Sequence, residues 1–217
     1  MTPHEGQPVL SAGAPLGSSH AVMIMMHGRG ASPGNILSLA ADLDRPDFTY
    51  LAPAAANNTW YPYSFLTEMS KNEPGLSSGL HVIEGLVADL LSRGIHKRHV
   101  VLLGFSQGGC LAGEYAVRNG DRYGGVIMLS GGLIGPPGTA WTYGGSFVST
   151  PVFLGCSEVD GHIPKERVLE SAEVFERMGA DVTVRLYPGM GHQINEDEIV
   201  HARAVMDRVL ADKGVAG

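Results

Sequence analysis

The segment Gly104-Phe105-Ser106-Gln107-Gly108 reads G-x-S-x-G and follows the apolar run Val100–Leu103 directly. A serine in a sharp strand-to-helix turn holds its hydroxyl exposed, and side chains two positions to either side would strike the neighbouring strand and helix. Glycine at 104 and 108 meets that demand. Gly109 and Gly113 extend a small face that lets the following helix lie close on the sheet. Ser106 is therefore the candidate nucleophile, and the strand before it and the helix after it weigh against a bare glycine turn.

A serine hydroxyl needs a base to take its proton, and the base needs an acid to orient it. With the serine on such a turn the chain order is serine, then Asp or Glu, then histidine. The downstream histidines are His162, His192 and His201. His192 stands in Gly189-Met190-Gly191-His192, between the last strand and the last helix, which puts it on the same sheet edge as Ser106. It is the expected base, with His162 the alternative. His201 falls inside the last helix, on a face expected to be solvated. Asp160 follows the strand Pro151–Leu154 and is the expected acid, with Glu158 as fallback. Asp121, Asp181 and Asp197 fall at helix ends or turns, where capping explains an aspartate.

Ester or amide cleavage also needs two backbone N–H groups aimed at the developing oxyanion. The amide of Gln107, after the nucleophile and at a helix N-terminus, is one. The loop His27-Gly28-Arg29-Gly30-Ala31-Ser32 after an early strand supplies the other, with the Arg29 N–H as donor. Gly28-x-Gly30 is also the start of a dinucleotide turn. That reading fails, because Pro33 stands where a third glycine belongs and no acidic residue ends the next strand. A phosphate-binding G-x-x-x-x-G-K-[S/T] is absent from the sequence.

These groups need a scaffold. Continuous apolar runs at Ala21–Met26, Phe48–Leu51, Val100–Leu103, Gly125–Leu129, Pro151–Leu154 and Val182–Tyr187 predict strands buried on both faces. Helical spacing predicts helices over Gly34–Leu43, Leu80–Arg93, Gln107–Arg118, Pro164–Met178 and Glu196–Leu210. The alternation implies one doubly wound α/β sheet. Two long segments, Ala52–Pro74 and Gly131–Thr150, leave the carboxyl ends of strands, where open α/β sheets bind ligands. They carry Trp60, Tyr61, Trp141 and Tyr143. Trp60, Tyr61 and Trp141, with Met190, are expected to line the substrate pocket.

Composition sets the bounds. The chain has 217 residues, a span that one α/β domain over 1–217 accommodates. Its net charge is −7 and its longest basic cluster is Lys97-Arg98, so no basic face for nucleic acid is expected. No apolar run reaches the ~20 residues of a membrane span, and the first residues lack the pattern of a secretory signal. The two cysteines, Cys110 and Cys156, form no C-x-x-C, so neither a zinc cage nor a disulfide framework is expected and a reducing, cytoplasmic setting fits. Both are expected to be buried packing residues.

The His27–Gly30 loop, the Gly104–Gly109 turn, the Asp160 segment ending His162-Ile163-Pro164, and Gly189–His192 together resemble the phospholipase/carboxylesterase family of α/β-hydrolases, from about Val9 to Leu210. That family includes bacterial carboxylesterases and acyl-protein thioesterases and is related to the dienelactone hydrolases. The resemblance implies the triad Ser106, Asp160 and His192, oxyanion donors at Arg29 and Gln107, no metal or organic cofactor, and no large cap domain. Arg29 departs from the apolar residue common in thioesterase members, and its side chain is open to two readings, meeting an anionic substrate group or pointing to solvent as most arginines do. The expected function is a serine carboxylesterase acting on small or medium esters. A lysophospholipase or acyl-thioesterase on long chains is the alternative, and a non-catalytic ligand-binding protein of the same fold is the alternative from another class. The sequence leaves the oligomeric state open, a homo-oligomer included.

Overall fold

The computed structural model describes residues 2–212, so the single domain expected over 1–217 runs beyond them at both ends. Seven strands form one sheet: β1 (Val9–Gly13), β2 (Ala21–Met26), β3 (Phe48–Pro53), β4 (Val100–Phe105), β5 (Gly125–Leu129), β6 (Pro151–Ser157) and β7 (Asp181–Tyr187). Their order is β1-β3-β2-β4-β5-β6-β7, and every pairing is parallel except β1 with β3.

The apolar runs become central strands because helices cover both faces. In β2, Val22, Ile24 and Met26 enter one core, and Ala21, Met23 and Met25 enter the other. The first core is closed by α3 (Gly75–Ser92), α4 (Gln107–Arg118) and α5 (Lys165–Arg177), through residues such as Ile83, Leu111 and Phe175. The second is closed by α1 (Pro33–Leu37), α2 (Leu39–Leu43) and α6 (Glu196–Ala211), through Ile36, Leu43 and Met206.

Several elements depart from the sequence reading. The helix expected over Gly34–Leu43 is two short helices meeting at Ser38, whose hydroxyl bonds back to the Asn35 carbonyl (2.8 Å) and competes with the helical ladder. α3 starts at Gly75 rather than Leu80. Its glycines weaken the helical signal, yet they serve close packing: a Cβ at Gly75 would lie 2.8 Å from the Trp60 carbonyl oxygen. β1 was not expected, because five mostly exposed residues on an antiparallel edge carry no buried run.

The two long connections are pinned rather than loose. Arg167, buried in α5, donates to the carbonyls of Leu133 (2.8 Å) and Gly135 (2.7 Å). Its guanidinium lies 4.9 Å from the centre of the Trp141 ring. Buried Glu114 accepts from the Ile134 amide and the Tyr143 hydroxyl in the same segment.

Candidate active site

Ser106 sits between β4 and α4 at φ 55° and ψ −121°, outside the regions that side-chain-bearing residues favour. The turn is held by close backbone approach. A Cβ at Gly104 would lie 2.1 Å from the Gly108 carbonyl oxygen, and one at Gly108 would lie 2.1 Å from that of Met26. The Ser106 amide is tied to the Leu129 carbonyl (2.9 Å).

His192 follows β7 and reaches Ser106, whose hydroxyl donates to its Nε2 (2.8 Å). Its Nδ1 donates to Asp160 Oδ2 (2.7 Å), the only polarity open to an ionised carboxylate. Asp160 Oδ1 accepts the amides of His162 (2.8 Å) and Ile163 (3.0 Å). Burial of this side chain pushes its acidity toward weaker. The bond from His192 and the two amides outweigh that, and the carboxyl lies below its ordinary range. The ring of Phe105 packs 5.0 Å from that of His192, and the Ser157 hydroxyl donates to the Met190 carbonyl, fixing the loop that carries His192.

The loop after β2 lies against the turn: a Cβ on Gly28 would sit 3.5 Å from Ser106 Cβ. That brings the loop of the Arg29 amide beside Gln107, the first residue of α4. Buried His27 fixes the loop from below, its Nδ1 donating to the Gly28 carbonyl (2.8 Å) and its Nε2 accepting the Ala55 amide (3.1 Å). Burial, against the bond to Gly28, holds its pKa below the usual histidine value, as a ring that must accept at Nε2 requires.

A cleft of about 390 Å³ opens over Ser106 and His192. Tyr61 is among its lining residues. Trp60 and Trp141 are not, and the expectation for them is corrected. Trp60 is fully buried, and its indole N–H donates to the His27 carbonyl (2.9 Å), so it plugs the core behind the loop that follows β2. Trp141 lies beneath Arg167 with its N–H on the Ile134 carbonyl. Met190 is also absent from the lining; its sulfur accepts from Asn195 Nδ2. In their place Tyr63, Phe65, Cys110, His162 and Ile163 face the cleft.

Sequence reasoning also missed the side chain of Gln107, which accepts from the Trp60 amide (2.9 Å) and donates to the Tyr61 carbonyl (2.8 Å), fastening the aromatic loop to the helix of the nucleophile. No motif marks that contact, since it joins residues far apart in the chain. His162 stands edge-on to His192 with ring centres 4.8 Å apart, and it is His192 that bonds Ser106. Glu158 is exposed. His201, expected on a solvated face, stacks on Phe153 at 4.7 Å. Cys110 and Cys156 are free and buried, and burial pushes both thiols up to about 12, which leaves them poor nucleophiles.

An open, mostly parallel sheet carrying a serine on a glycine-flanked turn, with an Asp–His pair arriving from two later loops, defines an α/β-hydrolase. Residues 11–209 match the phospholipase/carboxylesterase family, and the chain belongs to it. Its members hydrolyse carboxylic esters and thioesters as serine hydrolases, and the protein is an enzyme of that kind. A solved phospholipase/carboxylesterase from Dyadobacter fermentans is 38% identical, with a TM-score of 0.89 over 97% of this chain and 99% of that one. A carboxylesterase from Bacillus cereus shares the fold at 17% identity, with a TM-score of 0.74 over 94% and 95% of the two chains. Acyl-protein thioesterase 1 of Emericella nidulans is 28% identical over 88% of this chain and 90% of its own length. That of Gibberella zeae is 29% identical over 66% of this chain and 62% of its own length, so the match spans less than two thirds of that relative.

Proposed function

We propose that the protein is a serine carboxylesterase that cleaves small or medium carboxylic esters through an acyl-enzyme on Ser106. The observation that carries this reading is the unbroken hydrogen-bonded chain from Ser106 through His192 to Asp160 at the floor of the cleft. Ser106 Oγ attacks the ester carbonyl carbon as its proton passes to His192 Nε2. The carbonyl oxygen becomes an oxyanion that the amides of Arg29 and Gln107 receive. As the tetrahedral intermediate collapses, the C–O bond to the alcohol breaks and the imidazolium returns the proton to the leaving oxygen. Water then attacks the acyl carbon with His192 again as base, releasing the acid and restoring the serine. Asp160 holds the imidazole tautomer and stabilises the imidazolium.

The aromatic wall of Tyr61, Tyr63 and Phe65, fastened through Gln107, supports a compact acyl site over one for extended chains. The thioesterase names of the fungal relatives favour the second reading, long-chain thioesters. Among the described residues no helix is long and apolar enough to cross a membrane. A reducing, cytoplasmic setting is part of the proposal, supported by the two free cysteines. The test is hydrolysis of p-nitrophenyl esters from acetate to palmitate, with Ser106→Ala beside the wild type. A maximum at short or medium chains that vanishes in the variant is the expected result. A maximum at long chains hands the site to the second reading, and turnover that survives Ser106→Ala overturns both.

A further inference from the structure

The cleft is electrically at odds with the molecule that holds it. The chain carries a net charge of −7, yet no Asp or Glu lines the cleft, while Arg29, His162 and His192 do. Asp160, the acid behind His192, has a fully buried side chain committed to His192, the amides of His162 and Ile163, and the Cys156 thiol. Arg29 is the fixed charge of the group. Its Nη1 donates to the Pro62 carbonyl (2.7 Å) and its Nη2 to the Tyr63 carbonyl (2.6 Å), and its guanidinium lies 5.8 Å from the centre of the Tyr61 ring. Carbonyl oxygens hold a guanidinium in place without cancelling its charge. Among the described residues no carboxylate lies within ion-pair distance of Arg29, whereas Arg45, Arg93, Arg118, Arg122, Arg167 and Arg208 each have one.

A guanidinium has five N–H donors, of which these two bonds use two. The remainder form part of a planar fork, already immobilised, that suits a carboxylate. The Arg29 side chain is exposed, so an incoming anion reaches it from solvent and salt screens the attraction. We infer that the cleft takes esters bearing a second, ionised carboxylate, and that the Arg29 side chain receives it. The inference rests on the reading of Ser106 as nucleophile, and it gives Arg29 a side-chain role in specificity separate from that of its backbone amide.

The experiment compares mono-p-nitrophenyl adipate with p-nitrophenyl hexanoate, which have the same number of acyl carbons and differ in the terminal charge, with uncatalysed hydrolysis subtracted. The expected kcat/KM ratio favours the anionic ester by on the order of tenfold or more, carried by KM and shrinking as salt is added. Arg29→Gln brings the ratio to one or below, and Arg29→Lys restores part of it. Because each variant is judged by its own ratio, a general loss of activity cancels. A wild-type ratio at or below one, or a ratio that Arg29→Gln leaves unchanged, overturns the inference and leaves the esterase reading standing. If neither ester is hydrolysed, the esterase reading fails and calorimetry decides: binding of monomethyl adipate but not dimethyl adipate, lost in Arg29→Gln, supports the anion site, and no preference between them overturns it.

Discussion

Ser106 combines a reactive hydroxyl with a backbone conformation that its neighbours alone sustain. If Ser106 and His192 act as one unit, as proposed, removing either should forfeit nearly all that the two achieve together. Ser106→Ala and His192→Ala are each expected to lower kcat by about 10⁴–10⁶-fold, and the double variant little further. Steady-state kinetics on one activated ester checks this, and a double variant whose losses multiply would mean that the two residues act separately. Glu198 shows a different residue-level tension. It is buried, its Oε2 accepts the Asn195 amide at the start of α6, and its Oε1 has no partner. Burial, against the Asn195 bond, raises its carboxyl to about 7 from an ordinary 4.5. The unfolded chain thus releases a proton near 4.5 that the folded chain keeps until about 7, so this group's contribution to stability is full in acid and is lost as pH climbs through that window. Glu198→Gln keeps an acceptor for the cap and removes the titration. Its melting temperature relative to wild type should rise from pH 4 to pH 8; a difference that stays flat with pH would show that Glu198 does not titrate in this way.

The elements divide into those whose packing the chain announces locally and those whose reason lies elsewhere in the fold. The bounds of β2, β5 and α4 were legible to the residue, because an uninterrupted apolar run or a glycine-flanked serine marks each end. The hydrogen-bonded chain of Ser106, His192 and Asp160 was legible for the same cause: each residue follows a strand and precedes a helix. The roles of Trp60 and Trp141 were not, since a tryptophan in a long loop looks the same whether it faces substrate or plugs a core. Only the indole bonds to His27 and Ile134 distinguish the two. β4 and β6 run past the glycines that seemed to end them, because Gly104 and Gly155 make room for α4 and for Glu198. Glycines therefore carry opposite meanings. Gly108→Ala sets a methyl 2.1 Å from the Met26 carbonyl oxygen and should abolish activity and folding together. Gly85, inside α3, has nothing within 4 Å of a would-be Cβ, so Gly85→Ala should stabilise by about 0.5–1 kcal/mol. Circular dichroism melts of the pair test the contrast, and equal effects would refute it.

For the whole molecule, the active groups come from loops that follow β2, β4, β6 and β7, and these strands are not equally secure. β4 lies between β2 and β5 at the centre of the sheet, with both faces covered. β7 is at the margin, hydrogen-bonded on one side to β6 alone, and none of its seven residues is fully buried. Ser106 thus follows the central, fully covered strand, and His192 follows a marginal, half-exposed one. On heating, the margin of a sheet opens before its centre. Esterase activity should fade several degrees below the temperature at which helical ellipticity is lost, and it should return on cooling while that signal is still intact. Amides of β7 should likewise exchange with deuterium sooner than those of β4. Coincident loss of activity and ellipticity would show the two strands to be equally fast. With His192 beside that margin, the expected behaviour is that of a thermometer: activity that switches off reversibly while most of the chain remains folded.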